Sequence, residues 1–158
     1  MSQFNHINNN GHPTMVDVSN KDITTRTATA RSTVVLDDRI LSALDGDEIQ
    51  TKKGPVFQTA ILAGIMAVKR TSELIPLCHP LSISKCDVDI KVNELKEVEI
   101  FCTVKLDGKT GVEMEALTGA SIAALTIYDM CKAFSHNIVI RETRLIEKKG
   151  GKNDFTHG

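Results

Sequence analysis

The stretch LDGKTGVEMEALTG, residues 106–119, joins a strand to a helix through a turn that contains two glycines. Residues 98–106 alternate apolar and polar side chains, which predicts a strand. Gly108 and Gly111 interrupt that alternation, and the apolar residues after them predict a long helix over residues 112–134. The turn therefore marks the boundary between a predicted strand and the predicted long helix.

The Gly-Lys-Thr sequence at 108–110 is similar to the end of a nucleotide-binding P-loop. That loop requires a leading glycine, but Thr103 stands at the required position, so the motif is incomplete. A helix N-terminus after a glycine turn can still bind an anion. Glu113 and Glu115 lie in the first helical turn and would repel phosphate. The turn is either an ordinary solvated turn or a mixed site that binds amide or guanidine edges as well as charge.

The remaining periodic segments complete an alternation of strands and helices. Alternating polarity indicates strands, and a proline followed by a long apolar run indicates a helix start. The order β, α, α, β, β, α, β is that of a split βαβ unit, an α+β fold with a four-stranded antiparallel sheet and helices on one face. The segments are a strand at Thr27–Leu36, a short helix to Leu44, a polar loop at Asp45–Gly54, a helix at Pro55–Arg70, and strands at Val88–Val92 and Asn137–Lys148.

The composition is typical of one globular domain. A chain of 158 residues buries about 70% of its unfolded surface, so a single core is sufficient. We expect a flexible N-terminal segment at residues 1–14 and one folded domain at residues 15–158. A net charge of −1 and 4% aromatic residues without tryptophan disfavour binding to nucleic acid or to an acidic membrane surface.

The sequence also indicates a cytoplasmic protein. Its four cysteines include no CxxC pair, which is typical of buried thiols in a reducing compartment. The first twenty residues are polar and do not resemble a signal peptide. No apolar run approaches the about 20 residues that a membrane span requires.

The long helix is apolar or small at nearly every position from 114 to 133. A helix on the surface of one domain has a single apolar stripe, so an all-round apolar helix needs a second surface to cover it. We therefore expect another subunit to cover this helix.

Two polar features stand out. His79 lies between Cys78 and Pro80, so it is either an ordinary core histidine or an imidazole presented rigidly by an irregular segment. Asp129 and Lys132 lie at i and i+3 on one helical face and can form an ion pair. Because this pair interrupts an apolar helix, it is either functional or simply solubilising.

The spacing along the helix limits how these groups can act together. Glu115 and Asp129 are separated by 14 positions, which corresponds to a rise of about 21 Å. Either the substrate is long, or neighbouring subunits use opposite ends of this helix, and the argument for an oligomer favours the second arrangement. The lysines of TKKG at 51–54 are either a solvated loop or further contacts for phosphate.

With these segments assembled, the sequence resembles the cyclic pyranopterin monophosphate synthase family, which acts early in molybdenum cofactor biosynthesis. The resemblance covers nearly the whole chain. Its most specific pieces are IPLCHPL at 75–81 and GKTGVEMEALT at 108–118. Further matching pieces are MVDVS at 15–19, KG at 53–54, ALTIYDMCKA at 124–133 and GGK at 150–152.

The resemblance implies a ferredoxin-like α+β sandwich over residues 15–158 and a homohexamer, a trimer of dimers with active sites between subunits. It implies a lyase whose substrate is 3′,8-cyclo-7,8-dihydroguanosine 5′-triphosphate, a cyclised GTP derivative. The products are cyclic pyranopterin monophosphate and diphosphate. It implies no cofactor and no metal site, while Mg²⁺ bound to the triphosphate is left open.

The resemblance also assigns residues. Asp129 is the catalytic carboxylate, and Lys53 and Lys132 are the lysines that handle protons and phosphate charge. Lys53 is chosen over Lys52 because it adjoins Gly54. The substrate-binding residues carried over are Leu77, Cys78 and His79 as one strip, Met114 and Glu115 as another, and Glu113, Arg26, Asp17 and Lys148 as further charged positions.

Two other functions fit part of the pattern. A metal-dependent nucleotide phosphohydrolase would be built from His79, Glu113, Glu115 and Asp129, and a chelator would abolish its activity. A non-catalytic nucleotide-sensing module would return its ligand unchanged.

Overall fold

The computed structural model describes residues 5–157, and the long strands and long helices expected from the sequence are present. Smaller elements fill the connections between them. In chain order the elements are β1 (Thr24–Leu36), α1 (Asp38–Leu41), β2 (Leu44–Asp45), β3 (Glu48–Thr51), β4 (Gly54–Pro55), α2 (Val56–Lys69), α3 (Thr71–Leu74), β5 (Lys85–Val92), β6 (Glu97–Gly108), α4 (Glu113–Cys131), β7 (Ile138–Lys149) and β8 (Phe155–Thr156).

The main sheet has five antiparallel strands in the order β5-β6-β1-β7-β8. Its four long strands follow the order of a split βαβ unit. The predicted α+β class with an antiparallel sheet is confirmed, but the prediction of four strands is wrong. The C-terminal segment turns back at Gly150, whose φ of +89° suits glycine, and adds a short edge strand. In that strand Thr156 pairs with Glu147 and Phe155 with Lys148.

The core lies between the main sheet and the layer formed by α2 and α4. Two directly opposite pairs on β1 and β6, Ala30 with Cys102 and Val34 with Val98, are 0% exposed. Helix α4 packs against β1, β6 and β7, while α2 packs against β5 and against α4. The residues of β1 that alternate with Ala30 and Val34 are polar from position 25 to position 33, which explains the period of two in this part of its sequence.

A second, three-stranded sheet occupies the segment predicted as a polar loop at 45–54, so that prediction is wrong. Its strands β2, β3 and β4 are two to four residues long. Only Ile49 among residues 45–54 is buried, at 0% exposure. One apolar residue among polar neighbours gives no periodic signal, which is why the sequence pattern indicated a loop.

Helices α2 and α4 approach each other backbone to backbone at two glycines. A Cβ on Gly64 would lie 3.1 Å from the carbonyl oxygen of Gly119, and a Cβ on Gly119 would lie 2.6 Å from the Sγ of Cys102. Side chains at these positions would force the helices away from each other and from the sheet. The two glycines therefore set the spacing of the helix layer.

The sides of α2 and α4 that face away from the sheet remain apolar and exposed. Leu62 and Met66 on α2 are 63% and 52% exposed, and Leu125 on α4 is 53% exposed. Leu74, in α3, extends the same kind of surface at 54% exposure. We call these four residues the apolar helix surface. Among residues 5–157, no helix combines the length and the apolar character needed to cross a membrane.

The N-terminal segment is exposed and turns back on itself. Ile7 forms an isolated antiparallel bridge with Pro13, and the Asn8 side chain accepts hydrogen bonds from the backbone of Asn10 and His12. The segment predicted to be flexible, residues 1–14, lies partly outside the described residues. Its flexibility and the domain boundary at 15 remain predictions.

Candidate active site

The C-terminal end of α4 carries a compact cluster of charges. Lys132 donates a hydrogen bond to Oδ1 of Asp129 over 2.6 Å, and Lys53 donates to Oδ2 over 3.2 Å. The bond from Lys132, and then that from Lys53, lowers the pKa of Asp129 below its usual value. All three side chains are about half exposed, at 48–60%, and ion pairs at such exposure stabilise a fold little. The cluster is therefore better explained by binding or chemistry than by stability.

The three residues predicted as catalytic thus converge, although Lys53 lies 76 positions from Asp129 in the sequence. The end of the helix positions Asp129 and Lys132, and the turn between β3 and β4 positions Lys53. We call this group the Asp129 cluster.

A cavity of about 660 Å³ opens beside the Asp129 cluster. Its walls contain three lysines, one aspartate and His136, so the lining carries two net positive charges when His136 is neutral. Such a cavity attracts an anionic ligand and holds its charge by ammonium groups. The lining residues are Thr51, Lys52, Lys53, Asp129, Met130, Lys132, Ala133, Phe134 and His136.

A second cleft of about 260 Å³ lies at the other end of α4. It contains both strips predicted to bind substrate, Leu77–His79 and Met114–Glu115, together with Glu113. The segment from 75 to 84 has no helix or strand, because its prolines exclude both, and it passes over the start of α4. Nε2 of His79 donates to the backbone oxygen of Val16 over 2.6 Å, so the imidazole is anchored to the N-terminal segment.

Glu115 is the buried charge of this second cleft. It is 4% exposed, and burial is the main reason that its pKa is raised above the usual value. The neighbouring Glu113 adds to the effect, while His79 opposes it. A carboxyl group in this setting can accept a hydrogen bond as the anion or donate one as the acid, which suits the N–H and carbonyl edge of a heterocyclic base.

Cys78 does not have the properties of a nucleophile. Burial, and then the charge of Glu115, raises the pKa of its thiol above the usual value. A catalytic cysteine needs the opposite shift, so the structure disfavours a nucleophilic role for this residue.

The other three predicted charged residues do not line the second cleft, although each has partners in the structure. Arg26 is 9% exposed, and its Nε donates to the backbone oxygen of Gly108 over 3.0 Å. Lys148 forms an ion pair with Glu113 at 3.4 Å. Asp17 accepts hydrogen bonds from the backbone nitrogen and hydroxyl of Ser19, and these bonds lower its pKa.

These residues do not all line one cleft. Arg26 lines a third cleft of about 380 Å³ with Gly150, Gly151 and Lys152. Asp17 and Lys148 line neither the Asp129 cavity nor the second or third cleft. Lys21, which no strong motif indicated, lines both the second and the third cleft and so joins them.

Sequence reasoning missed part of the Asp129 cavity. His136 and Phe134 follow the end of α4, and neither belongs to a motif that carries chemistry. Lys52 was set aside in favour of its neighbour, yet it also lines the cavity. A signal was present in the repeated lysine, because two adjacent cations at a turn suit a polyanion.

The two clefts lie at opposite ends of one continuous helix. Glu115 and Asp129 both belong to α4, so they are separated by about 21 Å along its axis. Within one protomer this geometry disfavours the phosphohydrolase, which needs Asp129 beside Glu113, Glu115 and His79. Within residues 5–157, no three His, Cys, Asp or Glu side chains converge as metal ligands would.

Comparison with known proteins links these residues to one family. Residues 15–151 match the model of the MoaC family. The cyclic pyranopterin monophosphate synthase of Xanthomonas oryzae pv. oryzae is 52% identical over 154 residues, covering 98% of this chain and 93% of that protein. The protein of the same name from Lysinibacillus sphaericus is 51% identical over 161 residues, covering 99% of each. Molybdenum cofactor biosynthesis protein 1 of Dictyostelium discoideum is 52% identical, but the chain spans only 27% of its length.

Proposed function

The chain belongs to the MoaC family, and on that premise we propose that it is a cyclic pyranopterin monophosphate synthase of molybdenum cofactor biosynthesis. Its substrate is 3′,8-cyclo-7,8-dihydroguanosine 5′-triphosphate, and diphosphate is released. The observation that carries the proposal is the family match over residues 15–151, which includes every proposed site residue from Asp17 to Lys148.

The Asp129 cluster is assigned to the reacting phosphate and sugar. Negative charge grows on diphosphate as it leaves, and preorganised ammonium groups stabilise that charge. Lys53 and Lys132 are suitably charged, and Asp129 holds both within hydrogen-bonding distance. A carboxylate between two ammonium groups can also accept a proton while a neighbouring lysine donates one, as ring opening and reclosure require.

The second cleft is assigned to the base. Glu115, His79 and the backbone of the strip at 77–79 offer acceptors and donors on one side of a small cleft. The buried carboxyl of Glu115 suits the N–H edge of a guanine-derived ring. Glu113, Lys148, Arg26 and Asp17 are assigned to the charged surroundings of the same ligand.

One protomer does not bring these two halves together, so we propose that each active site combines one end of α4 with the other end of α4 from a neighbouring subunit. The apolar helix surface supports assembly, because four large apolar side chains are more than half exposed. The family resemblance gives the form of the assembly as a homohexamer, a trimer of dimers. It also gives the fold its description as a ferredoxin-like sandwich, which the order β5-β6-β1-β7 supports.

No cofactor is part of the proposed reaction, since ring opening, reclosure and phosphate cyclisation involve no net redox change. Mg²⁺ can accompany the triphosphate as part of the substrate. A cytoplasmic location is proposed because free thiols at Cys78, Cys86, Cys102 and Cys131 suit a reducing compartment.

The direct test incubates the protein with the cyclised GTP intermediate and measures diphosphate together with cyclic pyranopterin monophosphate. We expect both products in equal amounts, with or without a chelator. Asp129→Asn should abolish turnover, while Asp89→Asn, which alters an exposed carboxylate on β5, should not. Recovery of unchanged intermediate would favour the sensing module, and chelator-sensitive release of phosphate would favour the phosphohydrolase.

A further inference from the structure

Lys53 reaches Asp129 from a turn whose backbone must be held in place. Thr51 pairs with Gly54 across β3 and β4, and Lys52 and Lys53 connect them. The Lys53 side chain is 60% exposed, so side-chain packing restrains it little. The conformation and location of this turn therefore determine whether its Nζ meets the carboxylate.

The hydroxyl of Thr51 sets the conformation of the turn. It donates to the backbone oxygen of Gly54 over 3.0 Å and accepts from the backbone nitrogen of Lys53 over 3.1 Å. Gly54 has a φ of +112°, which an L-residue with a side chain rarely adopts. One side chain thus bonds to both sides of the turn that carries the lysine.

The carboxylate of Glu48 sets the location of the turn. Its Oε1 accepts from the backbone nitrogens of Ile49 and Phe57, each over 2.8 Å, and its Oε2 accepts from that of Gln58 over 3.1 Å. Phe57 and Gln58 lie in the first turn of α2, whose cap residue, Pro55, supplies no side-chain bond.

Glu48 therefore caps α2 from outside the helix, and its charge is favourable at the helix N-terminus. Because α2 packs against α4 at Gly64 and Gly119, the bonds from Glu48 to α2 link the β3–β4 hairpin to the helix that carries Asp129.

We propose that Glu48 and Thr51 are positioning residues, which fix Lys53 against Asp129 through the hydrogen bonds just described. The proposal rests on the proposed function, because it concerns the same catalytic lysine. Glu48 acts on where the hairpin lies, and Thr51 acts on the shape of its turn.

The Thr51 hydroxyl is tested with a matched pair of variants. Thr51→Val removes the hydroxyl at nearly constant volume, and Thr51→Ser retains it. We expect Thr51→Val to lower kcat on the order of 10- to 100-fold, because small misplacement of a catalytic group has effects of this size. KM should change little, and Thr51→Ser should restore kcat.

Glu48 is tested in the same way. Glu48→Ala should lower kcat by a similar factor, and Glu48→Gln should recover part of it, since an amide oxygen can still accept from Ile49 and Phe57. Asn93→Ala is the control, because Asn93 likewise accepts from two backbone nitrogens, those of Leu95 and Glu97, in the remote turn between β5 and β6. That variant should retain wild-type kcat.

The pH profile separates positioning from general loosening of the fold. Lys53 helps to keep the pKa of Asp129 low, so a displaced Lys53 lets that pKa rise. The acid limb of kcat/KM should therefore move to higher pH in Thr51→Val and Glu48→Ala but not in Asn93→Ala.

Wild-type kcat and an unmoved acid limb in Thr51→Val would overturn the proposal, as would an equal loss in Asn93→Ala. If Glu48→Ala does not fold, the Thr51 pair and Glu48→Gln decide the question. If the wild-type protein forms no diphosphate, the proposed function fails instead. The placement of Lys53 is then judged by a ¹³C NMR titration of the Asp129 carboxyl in wild type and Thr51→Val, where an unchanged pKa would contradict it.

Discussion

A methyl group added at Gly119 should loosen the contact between α2 and α4. The Cβ of Gly119→Ala would lie 2.6 Å from the Sγ of Cys102, 2.7 Å from Cγ2 of Val68 and 3.2 Å from the backbone oxygen of Gly64. Two of these distances are below 3.0 Å, which real Cβ contacts essentially never show. The side chains of Cys102 and Val68, or the strand and helix that carry them, must therefore move.

Two opposing effects determine the size of the change. Alanine is favoured over glycine within a helix by about 1 kcal/mol. Overpacking in a closely packed core costs about 1–3 kcal/mol. Because two contacts must be relieved at once, we expect the upper part of that range and a net loss of about 1–2 kcal/mol. For a domain of this size, the loss lowers Tm by about 2–8 °C.

The measurement is thermal unfolding of both proteins at the same protomer concentration, since assembly makes Tm depend on concentration. Gly64→Ala is the matched control, because its nearest contacts are 3.1, 3.2 and 3.4 Å and its loss should be smaller. In Gly119→Ala combined with Cys102→Ala, removal of the sulfur should make the two changes less than additive. An unchanged or raised Tm in Gly119→Ala alone would show that this contact does not set the spacing of the helices.

Three further predictions concern the site and the assembly. Lys53→Ala should fold and assemble as the wild type does but release no diphosphate from the cyclised intermediate, and turnover at the wild-type rate would remove Lys53 from the catalytic group. Glu115→Gln should raise Tm at neutral pH while reducing activity, because burial raises the pKa of Glu115 and so makes its ionised form unfavourable in the folded state. Wild-type stability falls as pH rises from the ordinary pKa of 4.5 to the raised pKa of the folded state, because the folded state then holds a proton that the unfolded state loses. The gain in Tm should therefore vanish below about pH 4, where Glu115 is protonated in both states. A gain that persists there would exclude this cause. Leu125→Glu should lower the molar mass measured by light scattering, because it places a charge in the apolar helix surface. Leu95→Glu, at a position that is 79% exposed in the β5–β6 turn, should leave that mass unchanged. Equal behaviour of the two variants would contradict an interface at the apolar helix surface.

The elements that could be predicted from the sequence are those with a repeated apolar pattern. The long strands and helices bury several residues each on a regular period, so the pattern is visible without the fold. The short strands β2, β3, β4 and β8 are formed by pairing with a neighbour rather than by their own apolar residues. Nothing local in the sequence marks such strands, and this is why the strand count was wrong.

The residues of the candidate site also divide into those that local spacing predicts and those that it does not. Asp129 and Lys132 could be paired from helical spacing alone, because three positions on a helix fix their separation. Lys53 could be added only through the family resemblance, since its approach to Asp129 depends on how the small sheet meets α2. Glu48 could not be found, because it contacts backbone nitrogens nine and ten positions later, and a backbone contact imposes no residue type on its partner.

If each active site is shared between subunits, α4 bears one half of a pocket at each terminus, and damage to the two halves is separable between polypeptides. In the shared arrangement proposed above, subunits carrying Glu115→Gln supply an intact Asp129 terminus, and subunits carrying Asp129→Asn supply an intact Glu115 terminus. In an equal mixture that exchanges freely, roughly one pocket in four is assembled from two sound halves. Two alleles that are each impaired would then complement each other in the same cell.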